Sequence, residues 1–190
     1  MTRIVALILS LCLLLTVTSA FAETATVTRV DFGAFSMELD SSALVMQEKA
    51  NNAAFALYLP VADDTSINMN FVWTTDTEDI SAITQEYMDA YAEYLLSTLI
   101  NYMESQGVEV IEAETITAEM RLLDDAPVLL IAHGYTYDLT PLGVSLQQTR
   151  YQIQVTLPLE NETYIITCTV PDLDAFQQYF VPVINSLQWN

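Results

Sequence analysis

The stretch that decides the fold is residues 126–157, APVLLIAHGYTYDLTPLGVSLQQTRYQIQVTL. Two strand-like runs flank Thr140-Pro141-Leu142-Gly143, a combination typical of a turn. Val128–Ala132 is apolar at every position, as in a strand that is buried on both faces. The stretch therefore predicts a long antiparallel hairpin near the centre of a sheet.

The second arm of this hairpin, Val144–Leu157, changes its alternation part of the way along. From Tyr151 onwards every second residue is apolar and the residues between are polar. The apolar residues from Tyr151 onwards have odd numbers, whereas Val144 and Leu146 have even numbers. This shift in the alternation predicts a β-bulge at Gln147–Thr149. The first arm is predicted to span Ala126–Leu139.

Short runs of β-branched, aromatic and alternating apolar residues predict further strands on both sides of the hairpin. In Ser66–Thr74, apolar Met69, Phe71 and Trp73 alternate with a mostly polar set, which predicts a sheet with one covered face. The other predicted strands are Val27–Phe32, Phe35–Leu39, Leu44–Lys49, Ala53–Leu59, Val108–Ile116, Glu119–Leu123 and Thr163–Val170.

One long helix is predicted over Ile80–Ser105. Apolar and tyrosine side chains recur there at steps of three and four residues, and Gly107 ends the pattern. The largely acidic group Asp76–Asp79 supplies capping and first-turn residues. Four tyrosines share this helix and are expected mostly in its core stripe: Tyr87, Tyr91, Tyr94 and Tyr102.

A closing helix is predicted after Asp172, and Pro182 within it is expected to kink or shorten it. Leu187 and Trp189 then finish the chain as an apolar anchor. Together these elements predict an α+β fold, with a central antiparallel sheet of about seven strands, one long helix and a C-terminal helix. Cystatin-like and lipocalin-like folds, which also place a helix on a curved antiparallel sheet, are the alternatives.

The first 22 residues have the features of a signal peptide. Arg3 precedes a nearly unbroken apolar run, Ile4–Val17, and Ala20 and Ala22 are the small residues that a signal peptidase reads. The run is shorter than the about 20 residues needed to cross a bilayer, so we expect cleavage rather than a retained anchor. Residues 1–22 are thus predicted to be the signal peptide. Residues 23–190 are predicted to form one secreted or cell-envelope domain without a membrane span.

The acidity of the chain restricts its partners. Residues 23–190 carry four basic residues against 25 acidic ones, a formal charge of −21. Such a charge repels nucleic acid phosphates and anionic lipid surfaces. It suits a partner protein with a basic surface, metal ions, or solubility alone. The acids are scattered along the sequence, mainly in loops and on polar faces, which favours solubility.

The order of elements resembles the PsbP-like family, including its bacterial envelope relatives of the DcrB type. Phe35–Leu39 looks like the opening strand of that family, and the long helix precedes a long hairpin. Ser186-Leu187-Gln188-Trp189 looks like its closing tail. The resemblance covers most of residues 23–190 as a pattern. The family often follows its first strand with a proline and a nearby tryptophan, where this chain has Asp40-Ser41-Ser42.

This resemblance implies an α-β-α sandwich with a central antiparallel sheet. It also implies an accessory or binding protein rather than an enzyme. Members of the family assist the photosynthetic oxygen-evolving complex, and one bears on a nuclear transport GTPase. The family has no catalytic residues to carry over to this chain.

The two side chains best suited to nucleophilic catalysis are expected to have structural roles. His133, the only histidine, alternates with apolar residues in a predicted strand and is expected to be packed and hydrogen-bonded. Cys168, the only cysteine of residues 23–190, lies mid-strand and is expected to be buried. No Gly-x-Ser-x-Gly segment supplies a nucleophile. No catalytic residue is therefore predicted.

Calcium is the metal that the composition suits, because it needs only oxygen ligands, whereas zinc favours several histidines or cysteines. No segment matches the EF-hand loop, and each acidic cluster has a simpler role in a turn or at a helix start. No cofactor is therefore predicted. The densest acidic clusters supply the candidate ligands Asp63, Asp64, Asp76, Glu78, Asp79, Asp124 and Asp125.

The predicted function is that of an exported accessory or binding protein, which acts through a protein partner or a ligand rather than through catalysis. One alternative is an extracytoplasmic hydrolase that uses paired carboxylates, since such pairs are geometric and invisible in a sequence. Another is a carrier of a small apolar ligand, in a cavity lined by the helix tyrosines.

Overall fold

The computed structural model describes residues 27–40, 43–50, 53–61, 63–75, 83–123, 125–159 and 162–190. Within these ranges the strands are β1 (Val27–Asp31), β2 (Phe35–Asp40), β3 (Leu44–Ala50), β4 (Ala53–Tyr58), β5 (Asn68–Thr74), β6 (Glu109–Leu123), β7 (Ala126–Asp138), β8 (Gln147–Pro158), β9 (Thr163–Val170) and β10 (Gln188–Trp189). The α-helices are α1 (Gln85–Ser105), α2 (Leu173–Tyr179) and α3 (Val181–Asn185), and a short 3-10 helix spans Thr140–Leu142.

Seven of the strands form one sheet in the order β3-β4-β5-β9-β8-β7-β6. Every neighbouring pair in it is antiparallel. The predicted hairpin is β7 and β8, which pair in unbroken register from Leu129 opposite Thr156 to Asp138 opposite Gln147. The predicted α+β class, with a central antiparallel sheet of about seven strands, is confirmed.

Three further strands form a separate small sheet in the order β1-β2-β10. The predicted apolar end of the chain takes part in it, because Trp189 pairs with Phe35. This second sheet is a difference from the single sheet that the sequence predicts. Phe35, Met37 and Leu39 are almost completely buried against the large sheet, since β2 packs face to face on it instead of pairing at its edge.

The two faces of the large sheet are covered by different layers. Helix α1 packs on β6 and β7 from one side. Helices α2 and α3 and the small sheet pack on the other side, where the main core lies. This is the α-β-α layering that the resemblance implies. In the described part of the chain the large sheet is open, with β3 and β6 as its end strands.

Helix α1 ends at Ser105, as predicted, and is followed by Gly107, whose φ of 82° lies in the left-handed region that glycine adopts without strain. It begins at Gln85, directly after the N-cap residue Thr84. The predicted start at Ile80 and the capping group Asp76–Asp79 lie outside the described residues.

The buried stripe of α1 consists of small and flexible apolar residues. Tyr87 and Tyr94 are 45% and 43% exposed, so the prediction that the helix tyrosines lie mostly in the core is wrong for these two. Ala92 is fully buried, and its small side chain lets the helix approach the sheet closely. A tyrosine ring would not fit between the helix and the sheet at this distance. The buried residues of the helix are Met88, Ala92, Leu96, Leu99 and Met103.

Two long strands differ in detail from their predictions. The sequence predicts two strands over Val108–Leu123, but β6 is one strand, because bulges at Ile111 and Ile116 absorb the breaks in alternation. The bulge predicted at Gln147–Thr149 is wrong, since β8 begins at Gln147. Val144 and Leu146 are exposed in the preceding loop, which explains their opposite parity.

Pro182 shortens the closing helix, as predicted. The carboxylate of Asp172 caps α2 by accepting a hydrogen bond from the backbone N–H of Ala175 at 2.7 Å. A separate helix, α3, carries Pro182 in its first turn, where the missing N–H removes no helical hydrogen bond.

Phe35 offers a test of the packing between the two sheets. Its ring is fully buried and lies edge-on to Tyr164, with 4.9 Å between the ring centroids. We expect Phe35→Ala to lower the free energy of unfolding by about 3–5 kcal/mol, the usual cost of removing a core aromatic ring. Urea denaturation followed by circular dichroism measures this. The half-buried Phe176→Ala should cost clearly less, and equal losses would contradict the placement of Phe35 between the sheets.

Candidate functional site

Helix α1 and strand β6 lie side by side and run in opposite directions. Near the start of the helix, the side chain of Gln85 donates to the carbonyl oxygen of Ala118 at 2.8 Å. Two turns later, the hydroxyl of Thr115 donates to the carboxylate of Glu93 at 3.3 Å. The helix therefore lies along an end strand of the large sheet.

This placement of α1 is held by apolar packing and one buried hydrogen bond. His133, which is 4% exposed, has its Nε2 3.1 Å from the carbonyl oxygen of Ala92. Because a carbonyl can only accept, Nε2 carries the proton and donates it. The prediction that His133 is packed and hydrogen-bonded is confirmed. The apolar contact around this bond is made by Met88, Ala92, Ala118, Leu129 and Ile131.

Burial lowers the pKa of His133 below its usual 6.5, because the charged imidazolium loses its hydration inside the protein. The carbonyl of Ala92 and the charge of Glu93 oppose this shift only in part. The imidazole is therefore neutral at pH 7, in the form that its hydrogen bond to Ala92 requires.

The outer surface of α1 and β6 carries eight carboxylates and a single guanidinium, that of Arg121. Arg121 is already paired, because it lies 2.7 Å from the carboxylate of Glu119. Seven of the eight acidic residues are exposed, and Glu119 is partly exposed. The carboxylates of α1 lie on the helix side of the large sheet. The four glutamates of β6 alternate with the residues that face the helix, such as Thr115 and Ala118, and therefore project from the opposite side. We call the surface that these carboxylates form around the β6 edge the acidic face, and it consists of Glu86, Asp89, Glu93, Glu104, Glu109, Glu112, Glu114 and Glu119.

Two aromatic rings accompany these carboxylates. Tyr87 and Tyr94 lie exposed on α1, and Tyr87 stacks on Tyr91 with 6.3 Å between ring centroids. Exposed tyrosine rings attract cations through their negative π faces. The acidic face therefore offers a cationic partner both carboxylates and aromatic surface.

The sequence pattern did not reveal this face, because the acids of the helix and the strand are separated along the chain. A partial signal exists within α1, where Glu86, Asp89 and Glu93 recur at helical spacing. A second signal exists within β6, where Glu112 and Glu114 alternate. The packing of α1 along β6 is a tertiary contact, and no local pattern specifies it.

Three of the seven candidate calcium ligands, Asp63, Asp64 and Asp125, lie within the described residues. Asp63 is exposed, and Asp64 accepts a hydrogen bond from the backbone N–H of Ser66 at 2.9 Å, as in a turn. Asp125, with a φ of 65°, lies in the turn between β6 and β7. Asp76, Glu78, Asp79 and Asp124 fall outside the described residues. Among those described, no three His, Cys, Asp or Glu side chains form a group that could hold a metal ion. The prediction of no cofactor remains a prediction.

Cys168 is completely buried in β9, and burial raises the pKa of its thiol far above the usual range. The protonated thiol is a poor nucleophile and a poor metal ligand. The predicted buried, structural cysteine is confirmed.

The polar side of β5 is buried, contrary to the prediction of one covered face. Asn68 and Asn70 are 6% and 2% exposed. The side-chain amide of Asn70 donates to the side-chain oxygen of Asn68 at 3.1 Å, and that of Asn68 donates to the carbonyl of Thr65 at 3.0 Å. These hydrogen bonds offset the desolvation of the two side-chain amides. The alternation of apolar and polar residues in β5 therefore separates two buried faces, one apolar and one hydrogen-bonded, rather than a buried face from an exposed one.

The layers described above define an α-β-α sandwich with a central antiparallel sheet. Cyanobacterial PsbP (CyanoP) from Synechocystis sp. PCC 6803 has this fold, with a TM-score of 0.57 over 92% of this chain and 99% of that chain. The sequences are 11% identical, so the similarity concerns the fold alone. No family model matches the chain. No curated protein matches it either.

Two other solved structures are more distant. The Ran-binding protein Mog1p of Saccharomyces cerevisiae has a TM-score of 0.44 at 12% identity, over 87% of this chain and 96% of that chain. A chain of the Tle4-Tli4 complex has a TM-score of 0.45 at 10% identity, over 82% of this chain and 46% of that chain. Neither similarity is high enough to inform the function. Among the described residues, no helix is both long and apolar enough to span a membrane.

The lowered pKa of His133 predicts a pH-dependent stability. Below about pH 6.5 the unfolded chain binds a proton at this position that the folded chain resists, so acidification favours unfolding. The variant His133→Gln removes the contribution of this protonation to the free energy of unfolding. As the pH falls from 7.5 to 5, the stability of the wild type should fall relative to the variant, by at most about 1.4 kcal/mol per pH unit.

Urea denaturation of both proteins at several pH values measures the difference. The comparison with the variant cancels the titration of the carboxylates, which the two chains share. A difference in stability that stays constant between pH 7.5 and 5 would contradict the buried, neutral His133.

Proposed function

We propose that this chain is an exported accessory protein that binds a partner protein with a basic surface through its acidic face. Export rests on the predicted signal peptide of residues 1–22, with residues 23–190 as the functional domain outside the cytoplasm. The binding role rests on one observation, the eight carboxylates that α1 and β6 present together against one paired guanidinium.

The position of these charges favours binding over solubility alone. Solubility depends on net charge and requires no particular arrangement of the acids. A one-signed surface on adjacent elements instead steers a partner of opposite charge and repels partners of like charge. The exposed rings of Tyr87 and Tyr94 on the same helix add aromatic contact area, which is common in protein interfaces.

The two alternative functions receive less support. A paired-carboxylate hydrolase needs one acid with a raised pKa, and burial is the usual cause of such a shift. None of the Asp and Glu side chains whose burial is described is buried. A carrier with a tyrosine-lined cavity is not favoured either, because Tyr87 and Tyr94 are directed to solvent and away from the sheet.

The proposal predicts that neutralising the acidic face weakens partner binding. We expect the triple variant Glu93→Gln/Glu112→Gln/Glu114→Gln to bind the partner about tenfold more weakly. This assumes roughly 0.5 kcal/mol for each exposed charge pair. The partner is first isolated from the exported fraction on the immobilised wild type and located on its surface by cross-linking. Its affinity for each variant is then measured by titration at low and high salt.

A matched control separates the location of the charge from its amount. Asp63→Asn/Asp172→Asn/Asp174→Asn removes the same three charges from exposed positions outside the acidic face, and asparagine preserves the helix cap at residue 172. This control should bind like the wild type. Equal weakening in both variants, or binding that survives 1 M salt, where the Debye length is about 3 Å, would contradict the proposal.

A further inference from the structure

The loop between β7 and β8 exposes three large apolar side chains within five positions. Leu142, Val144 and Leu146 are 53%, 50% and 40% exposed. The sequence of residues 139–149 contains no charged residue, although the predicted domain has a formal charge of −21. Single exposed apolar side chains are normal on a protein surface, whereas a local group of them indicates a place where another molecule binds. We call residues 139–146 the apolar loop.

The apolar loop is held in one conformation by hydrogen bonds of its own. The N–H of Leu139 donates to the carbonyl oxygen of Leu146 at 2.9 Å, which closes the base of the loop. The N–H of Gly143, whose φ of 83° suits glycine, donates to the carbonyl oxygen of Thr140 at 2.9 Å. The carboxylate of Asp138 accepts from the backbone N–H and the hydroxyl of Thr140, at 2.7 and 2.6 Å. Because the loop is already ordered, it loses little conformational entropy when another molecule binds it.

The apolar loop lies at one end of the acidic face. Leu142 packs beside Gly107, since a Cβ atom at Gly107 would lie 3.0 Å from Cδ2 of Leu142. The N–H of Gly107 donates to the carbonyl oxygen of Glu104 at 2.9 Å, and Glu109 follows two residues later. Asp138, directly before the loop, pairs with Glu109. Three carboxylates therefore border the exposed apolar side chains.

These surroundings decide which occupant fits. A lipid bilayer is disfavoured, because peripheral membrane segments combine apolar residues with Lys, Arg or Trp, and residues 139–149 contain none of these. A second copy of the chain is disfavoured, because two loops in contact would bring together the carboxylates of Glu104, Glu109 and Asp138 from both copies. An apolar pocket bordered by lysine or arginine, on the surface of another protein, matches both the apolar side chains and the carboxylates around them.

We infer that the apolar loop forms the apolar centre of the partner interface and inserts into an apolar pocket next to the basic surface of the partner protein. This inference rests on the proposed function, which supplies the basic partner. The carboxylates of the acidic face attract the partner and fix its orientation. Burial of Leu142 and Val144 removes apolar surface from water and slows dissociation of the complex.

Two matched pairs of substitutions test this inference. The loop variant Leu142→Ser/Val144→Ser removes two half-exposed apolar side chains from the apolar loop. The control variant Leu122→Ser/Val27→Ser removes the same residue types, 72% and 65% exposed, from the far end of β6 and from the small sheet. Because all four side chains are exposed, both variants should keep the urea midpoint of the wild type. The affinity of each for the partner isolated on the wild type is measured by titration at several salt concentrations.

We expect the loop variant to bind the partner about tenfold more weakly at every salt concentration, because salt does not screen an apolar contact. The control variant should bind like the wild type. Glu93→Gln/Glu112→Gln/Glu114→Gln should instead weaken binding mainly at low salt, which separates the two contributions. Wild-type affinity of the loop variant, or equal weakening in the control variant, would overturn the role of the apolar loop and leave the proposed function intact.

Two further measurements test the alternative occupants. Flotation with phosphatidylcholine vesicles and analytical ultracentrifugation of the protein alone are carried out on the wild type and the loop variant. We expect the wild type neither to bind the vesicles nor to associate with itself through the loop. Vesicle binding or self-association that the loop variant loses would overturn the inference in favour of a bilayer or a second copy. If the wild type retains no partner from the exported fraction, both this inference and the proposed function fail.

Discussion

The close packing of α1 on β6 and β7 is the constraint on which the rest of the structure depends. Ala92 is fully buried, and its carbonyl accepts a hydrogen bond from the imidazole of His133. Losing that bond would leave a buried N–H without a partner, which costs about 1–3 kcal/mol. The helix is therefore fixed at one distance and one register along the edge strand. Its acidic flank is brought to the sheet edge whose other side carries the glutamates of β6, and the two groups of carboxylates together form the acidic face.

Much of the fold follows from the sequence, because periodicity reports which side chains share a face. The bounds of β9, Thr163–Val170, and the glycine end of α1 agree with their predictions. Periodicity does not report how closely two layers approach, so it places Tyr87 and Tyr94 in the core stripe of α1 although both are exposed. Ala92, rather than Tyr87 or Tyr94, decides which side of the helix meets the sheet. In the same way, the alternation in β2 predicts a strand but does not distinguish pairing at an edge from packing on a face.

The candidate site was less predictable than the fold. Dense acidic clusters in a sequence are typical of turns and helix caps. Asp64, for example, accepts a hydrogen bond from the backbone N–H of Ser66 in a turn. The acidic face is instead assembled from residues spread over more than thirty positions, none of them adjacent in sequence. Tertiary contacts, among them those of Gln85 with Ala118 and of Thr115 with Glu93, bring the helix and strand contributions to the same edge of the sheet. Surface charge of this kind becomes interpretable as a site once the packing of α1 is known.

The electrostatic potential near each backbone amide can be measured by NMR, from the ratio of the relaxation enhancements caused by a cationic and an anionic nitroxide probe. If α1 lies along β6 as described, the most negative potential should form one continuous patch. That patch should include the amides of residues 86–93 and 109–119 and stand out from the rest of the domain. A negative potential spread evenly over the domain, or separate maxima on the helix and the strand with a neutral boundary between them, would contradict the acidic face.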